Sequence, residues 1–198
     1  MTRSGHVARA TKETTIDVTV DIDGRGAIDV ATGIPFFDHM VSQLGKHGGW
    51  DLRVAATGDL EVDTHHTIED VGIAIGEAFR AAVGDKAGVR RFASVDVPLD
   101  EALVEVALDL SGRPFLHYDV TVGGDALPLG SPPFEPQLAE EFWRAFATAA
   151  GITLHVRLRY GRNTHHIIEA SFKGVARALR DAVRIEGDGG VPSTKGVL

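Results

Sequence analysis

Apolar and polar positions alternate with a period of two over residues 15–23, "TIDVTVDID", and resume after "GRG" as "AIDVA". That pattern predicts two half-buried strands joined as a hairpin. The period then lengthens. In "PFFDHMVSQLGKHGG" (35–49), Phe36, Phe37, Met40, Val41 and Leu44 form one stripe, with Pro35 suited to a first helical turn and Gly48-Gly49 ending it. "WDLRVAATG" alternates as a strand. From Thr67 the apolar positions Ile68, Val71, Ile75, Ala78, Phe79 and Ala82 keep helical spacing up to Gly84.

The order then repeats. Strand-like "EALVEVALDLSG" (101–112) and "FLHYDVTVGG" (115–124) lead into a loop rich in Pro and Gly, "DALPLGSPPFEPQ". "LAEEFWRAFATAAG" is helical, "ITLHVRLRYG" alternates as a strand, and the last helix shows Ile168, Phe172, Val175, Leu179 and Ala182 on one face. At an offset of 100 residues Thr64, His65, His66, Ile68, Glu69, Ala78, Arg80, Ala82 and Val83 recur identically from Thr164 to Val183. This is an internal duplication. Two copies, each with a sheet on one side and helices on the other, bury most simply with the helices packed between two β-sheets. The expectation is therefore an α+β fold of two half-domains, about 10–95 and 96–190, forming one domain.

Composition narrows the chemistry. The 198 residues carry 43% hydrophobic side chains, enough for one core, and a formal net charge of −8. That charge argues against a broad grip on nucleic acid or an anionic membrane, and leaves room for a small anionic ligand in a local basic pocket. There is no apolar run near 18 residues and no secretory pattern in "MTRSGHVARA". A cytoplasmic location is expected. With no cysteine, any metal must sit on nitrogen and oxygen.

The repeated segments "DTHHTIED" (63–70) and "NTHHIIEA" (163–170) are the candidate chemistry. On a helix, Glu69 shares a face with His65 or His66, while adjacent histidines diverge by about 100°, so one HHxxE can serve two metals. Taken singly, the motif also reads as a capped polar first turn, Asp63 or Thr64 in one copy and Asn163 or Thr164 in the other acting as the cap. Duplication favours a metal site. Four imidazoles and two carboxylates suit manganese, iron or zinc, with no choice among them from the residues alone. Aligning the preceding helices puts His39 over Glu141, so each repeat has a further candidate ligand there.

With "ETTI", "GIPFFDHM", "DTHHTIED", "PLDEAL", "DLSGRP", "NTHHIIEASFKG" and "PSTKGVL" in this order, the chain resembles the imidazoleglycerol-phosphate dehydratases of histidine biosynthesis over nearly its whole length. The resemblance implies a ribosomal protein S5 domain 2-like fold and a homo-24-mer assembled from trimers, with metals bound between chains. It implies two manganese ions per subunit, on His39, His65, His66, Glu69, His165, His166 and Glu169. Glu141 stands where the family usually has a further histidine ligand. The implied reaction removes water from the diol of D-erythro-imidazole glycerol phosphate to give imidazole acetol phosphate. The carbon-bound proton has no neighbouring carbonyl to acidify it; metal binding can ionise the imidazole, and the imidazolate can then expel the adjacent hydroxyl. Glu13, His47 and Glu169 are the implied proton-handling residues, with Glu13 ranked first and also near the substrate. Arg91, Arg113, Lys173, Ser193 and Lys195 are the implied phosphate ligands, guanidinium forks and ammonium groups suiting a dianion. The carboxyl-terminal tail thereby becomes part of the substrate site. Arg157, Arg159 and Arg162 match no family position and read as an exposed strand face.

Two other classes compete on the residues alone. A dimetal storage protein uses Glu-x-x-His pairs in a similar way, and the phosphate ligands argue against it. A metal-dependent hydrolase would be separated by assay with phosphate esters. No nucleophile elbow or P-loop is present in the sequence. Some members of the family carry a fused histidinol-phosphate phosphatase domain, for which this chain is expected to have no room.

Overall fold

The computed structural model describes residues 2–123, 126–186, 189–196 and 198. Gly124 and Asp125, at the junction of a predicted strand and loop, and Val197 of the terminal motif lie outside the described residues. The chain runs β1 (Ser4–Ala10), β2 (Thr14–Asp21), β3 (Ile28–Ala31), α1 (Pro35–Gly48), β4 (Asp51–Gly58) and α2 (His65–Val83), then repeats. The second half is β5 (Phe92–Leu99), β6 (Ala102–Asp109), β7 (Phe115–Asp119), α3 (Leu138–Ala150), β8 (Thr153–Tyr160) and α4 (Thr164–Ala182). The two sheets have matching orders, β1-β2-β4-β3 and β5-β6-β8-β7, each antiparallel except for a parallel edge strand.

The expected hairpin between 15–23 and "AIDVA" is not formed. β2 pairs with β1 and β4, while β3 crosses to the far side of β4 and runs parallel to it, with Leu52 N donating to Ala27 O at 2.8 Å. Alternation defines a face and is silent about the partner. What redirects the chain is Asp51: its Oδ1 accepts from the amides of Arg25 at 2.8 Å and Ala27 at 2.9 Å, wrapping "GRG" over the start of β4. Gly24 is required at this crossing, since a Cβ there would lie 2.3 Å from Asp51 N.

Strands β1 and β5 were not evident in the sequence pattern, and the second spans the division near residue 95. Both are edge strands with few apolar inward positions. β1 presents Gly5 to α2, where an added Cβ would approach Ala78 O to 2.1 Å. β5 carries Pro98, which an edge tolerates because one side of the strand has no ladder to supply.

Helices α2 and α4 cover the inner faces of their sheets, and the two halves meet helix to helix, α2 against α3 and α1 against α4. The apolar stripes read from the sequence are the buried ones: Phe37, Met40, Val41 and Leu44 on α1, Ile168, Phe172, Val175 and Leu179 on α4. Rings bridge the halves, Phe79 tilted against Phe146 at 5.8 Å and Phe37 edge-on to Phe142 at 5.4 Å, and within each half Trp50 stacks on Phe79 and Phe142 on Phe172 at 5.2 Å. Truncating a ring buried in this way costs about 3–5 kcal/mol. Helices α2 and α3 approach closely at Gly72 and Gly76, where a Cβ would fall 2.9 Å from Phe142 O and 2.7 Å from Phe146 O. No helix among the described residues is long and apolar enough to cross a membrane.

Candidate active site

Because α1 of one half packs on α4 of the other, the first-half His39 meets the second HHxxE motif. His39 Nε2 lies 3.2 Å and His165 Nε2 2.9 Å from Glu169 Oε2, while Lys173 Nζ sits 2.8 Å from Glu169 Oε1. Donor atoms of His39, His165 and Glu169 all fall within 4.8 Å of one another, the one such group of three among the described residues. Burial would raise the Glu169 pKa, but hydrogen bonds from Lys173, His165 and His39 outweigh it and bring it down to about 2. The carboxylate is therefore charged at neutral pH. His47, at the end of α1, has its pKa lowered by burial and then by the nearby charges of Lys173 and Arg177.

The second histidine of each motif points elsewhere, as adjacent helical positions require. His66 Nδ1 lies 3.0 Å from Asp59 Oδ2, and His166 Nδ1 lies 2.8 Å from Glu101 Oε2. Both histidines have raised pKa values, the carboxylate hydrogen bond being the leading cause, and Glu101 in turn is lowered to about 2, chiefly by His166. A carboxylate on Nδ1 fixes the ring and leaves Nε2 as the free ligand atom, the usual support of a metal-bound imidazole. Neither Asp59 nor Glu101 was singled out in the sequence. Glu101 lies within "PLDEAL", a segment that carries the resemblance, and this was the available signal. Glu13, at the β1–β2 turn, contributes to raising His66 and so sits on the same side as Asp59.

The motif starts are capped by neighbouring side chains. Asp63 Oδ1 accepts from His65 N at 2.7 Å, and Asn163 Oδ1 from His165 N at 3.0 Å and His166 N at 3.3 Å. Thr64 instead donates its hydroxyl to Pro133 O at 2.9 Å, joining the loop before α3 to the first motif.

The first motif is more open. His65 Nε2 is 3.6 Å from Glu69 Oε2, and Glu141 on α3 lines the same groove as Glu69, a cavity of about 410 Å³ that also includes Ile73, Glu77 and Arg144. Glu141 thus occupies on α3 the place His39 occupies on α1. Its Oε2 faces Arg144 Nε at 3.9 Å, and it is not drawn into a triad with His65.

The five expected phosphate ligands are divided between two ends. Lys173 belongs to the Glu169 cluster. Arg91 donates to Asp109 through Nε at 2.7 Å and Nη2 at 3.1 Å, and through Nη1 to Pro192 O at 2.8 Å, tying down the terminal tail. Arg113 is exposed, 4.0 Å from the same aspartate, and Lys195 N donates to Ser193 Oγ at 3.2 Å. Arg91 N also bonds Ala182 O at the far end of α4. Thirteen residues of helix separate Ala182 from Glu169, about 20 Å at 1.5 Å per residue.

The family model for imidazoleglycerol-phosphate dehydratase matches residues 32–179, which contain both HHxxE motifs, His39 and Glu141. The chain belongs to the imidazoleglycerol-phosphate dehydratase family. These enzymes are hydro-lyases of histidine biosynthesis. The chain is 53% identical to the imidazoleglycerol-phosphate dehydratase of Acidothermus cellulolyticus over 196 residues, covering 99% of this chain and 93% of that protein. It is 56% identical to that of Caldanaerobacter subterraneus subsp. tengcongensis over 197 residues, covering 99% and 100%. Among solved structures, the dehydratase of Pyrococcus furiosus in complex with (S)-C348 superposes with a TM-score of 0.82 at 37% identity, covering 97% of this chain and 100% of that one. That of Staphylococcus aureus gives 0.82 at 33% identity, covering 92% and 99%. The duplicated α+β fold expected from the repeat is thus the dehydratase fold.

Proposed function

We propose that this chain dehydrates imidazole glycerol phosphate to imidazole acetol phosphate in histidine biosynthesis, with two manganese ions per subunit. The observation that carries the reading is the meeting of His39, His165 and Glu169 across the two halves of a chain of this family. The donor set fits manganese: imidazole nitrogen and carboxylate oxygen without sulfur, with Asp59 and Glu101 anchoring the rings of His66 and His166. His39, His165 and Glu169 with His66 or His166, and His65, Glu69 and Glu141 in the other half, would hold the metals. Manganese, when bound, supplies a Lewis acid that ionises the substrate imidazole.

The chain's own residues do the rest. Lys173 and the two imidazoles keep Glu169 ionised, so its carboxylate is available as a ligand, and the same contacts make it a weak base, which leaves Glu13 and His47 ahead of it for proton transfer. His47, kept neutral by burial and neighbouring cations, can accept a proton at a ring nitrogen. Glu13, beside the Asp59–His66 pair, is the leading candidate for moving the carbon-bound proton. Arg91, Arg113, Ser193 and Lys195 would grip the phosphate, and the backbone of Arg91 meets α4 about 20 Å along the helix from Glu169, too far for one small substrate to touch both in one chain. That separation supports a site completed by a neighbouring copy, and with it the homo-24-mer assembled from trimers. Within that reading the tail of one subunit serves the metal centre of another, in a cytoplasmic enzyme.

The test is incubation of purified protein with imidazole glycerol phosphate after chelation and after resupply of manganese, following imidazole acetol phosphate. Activity should vanish and return. Full turnover by a demonstrably metal-free preparation would sink the proposal, and so would phosphate-ester hydrolysis without dehydration.

A further inference from the structure

Where α1 and α4 end, a cavity of about 450 Å³ opens that the dehydration does not use. Arg3, Arg25, Lys46, Arg180 and Arg184 line it, with Asp23 as its one acidic wall, over a floor that includes Gly24, Gly48 and Gly49. Five cations gather here in a chain whose net charge is −8. Some of that charge is compensated. Arg3 forks onto Asp23, closest at 2.6 Å, and donates Nη1 to Val183 O at 2.7 Å, while Arg184 lies 3.9 Å from Glu186. Asp51, beside Gly24, spends Oδ1 on the amides of Arg25 and Ala27. Two helix carboxyl ends together offer about one unit of negative charge. Subtracting the helix ends, the two aspartates and Glu186 still leaves about one positive charge in excess at one cavity. Like charges held this close repel unless an anion joins them.

The duplication supplies a second, independent argument. After β2 the chain reads Asp21-Ile22-Asp23-Gly24-Arg25, and after β6 it reads Asp109-Leu110-Ser111-Gly112-Arg113. Arg3 directly precedes β1 as Arg91 precedes β5, and their carbonyls accept from equivalent amides, Ile22 N and Leu110 N. Each arginine forks onto an aspartate and gives Nη1 to a backbone carbonyl, Val183 O in one half and Pro192 O in the other. Arg3 and Arg25 are thus the structural duplicates of Arg91 and Arg113. The likeness rests on the reading of Arg91 and Arg113 as phosphate ligands. The charge surplus of the cavity does not.

We propose that the cavity between Arg25, Lys46, Arg180 and Arg184, braced by Arg3, binds a phosphate-bearing small molecule at a site separate from that of the substrate phosphate. Its volume lies in the range of small-molecule sites and exceeds what a bare phosphate needs, so the class is a phosphorylated metabolite whose phosphate takes the arginine forks.

Inorganic phosphate is the probe. Equilibrium dialysis of the manganese-loaded protein with labelled phosphate should find two binding equivalents per chain. The double variant Arg25→Ser/Arg180→Ser should lose one of them, with kcat/KM in phosphate-free buffer unchanged, and Arg25→Lys/Arg180→Lys should recover at least part of it. Arg113→Ser should lose the other equivalent and keep this one. Two equivalents retained by Arg25→Ser/Arg180→Ser would overturn the proposal, as would a single equivalent in the wild type that Arg113→Ser abolishes. If the chain failed to dehydrate imidazole glycerol phosphate yet lost phosphate in the Arg25→Ser/Arg180→Ser variant, the proposed function would fall and this site would stand.

Discussion

Gly76→Ala sets two effects of known size against each other. At an open helical position the change stabilises by about 0.8–1 kcal/mol, because alanine has the better helix propensity. Here the added Cβ would lie 2.7 Å from Phe146 O, 2.8 Å from Ala149 Cβ and 3.1 Å from Ala150 N, and two of those atoms are backbone of α3. No side-chain rotation relieves that contact. The helices must separate by several tenths of an ångström, and overpacking of this kind costs about 1–3 kcal/mol. The net expectation is a destabilisation of about 0–2 kcal/mol, with Gly72→Ala in the same direction because its Cβ would meet Phe142 O at 2.9 Å. Since α2 carries His65 and Glu69 and α3 carries Glu141, the separation should also weaken metal binding at the manganese site proposed there. The α1–α4 cluster around Glu169 should be spared. Denaturant unfolding at fixed protein and metal concentration, with a manganese binding isotherm, measures both. A Gly76→Ala protein about 1 kcal/mol more stable than wild type, with unchanged metal binding, would refute the close-packing argument.

Three further outcomes follow from single side chains. Lys195→Ala should weaken substrate binding by about 1.5–3 kcal/mol if one charge-assisted hydrogen bond to phosphate is lost, with metal content intact; unchanged kinetic constants would return the tail to a structural role. Glu141→Ala should lose or greatly weaken one metal per chain while Glu141→His keeps two, and wild-type metal stoichiometry and affinity in the alanine variant would remove Glu141 from the ligand set. Asp51 has its pKa lowered by hydrogen bonds from the amides of Ala27 and Arg25, so the stability it contributes is present above the unfolded carboxylate's pKa and fades as pH falls through its lower folded value. The stability gap between wild type and Asp51→Asn should therefore shrink between about pH 5 and pH 3, and a gap independent of pH would show that the charge is immaterial.

Periodicity was legible wherever a segment had a large apolar side to bury. Helices α1 to α4 and strands β2, β4, β6 and β8 all present such a face, and the offset of 100 between the HHxxE motifs exposed the duplication before any pairing was known. Partner choice was not legible. The route of β3 past β2 depends on one carboxylate, Asp51, meeting amides about 25 residues away in sequence, and no local pattern encodes that contact. Strands β1 and β5 were missed because few of their inward positions are large and apolar: Gly5 suffices where α2 presses closest.

The site divides the same way. Residue types pointed to a metal as the proposed chemistry, since histidines and glutamates repeated in register and without sulfur suit a hard or borderline ion. Their grouping depended on which helices touch across the two halves. His39 lies 130 residues from Glu169 and joins it only because α1 packs on α4, so that cluster is built from both copies of the repeat. A duplicated half on its own would carry the ligands of two incomplete sites. This arrangement also accounts for the different standing of His39 and Glu141. Between the repeats histidine is replaced by glutamate on α3, where Arg144 lies 3.9 Å from Glu141 but pairs more closely with Glu140. The two metals of one subunit would then differ in charge environment, and the more anionic α2–α3 centre should favour retention of the ion over ionisation of an imidazole bound to it.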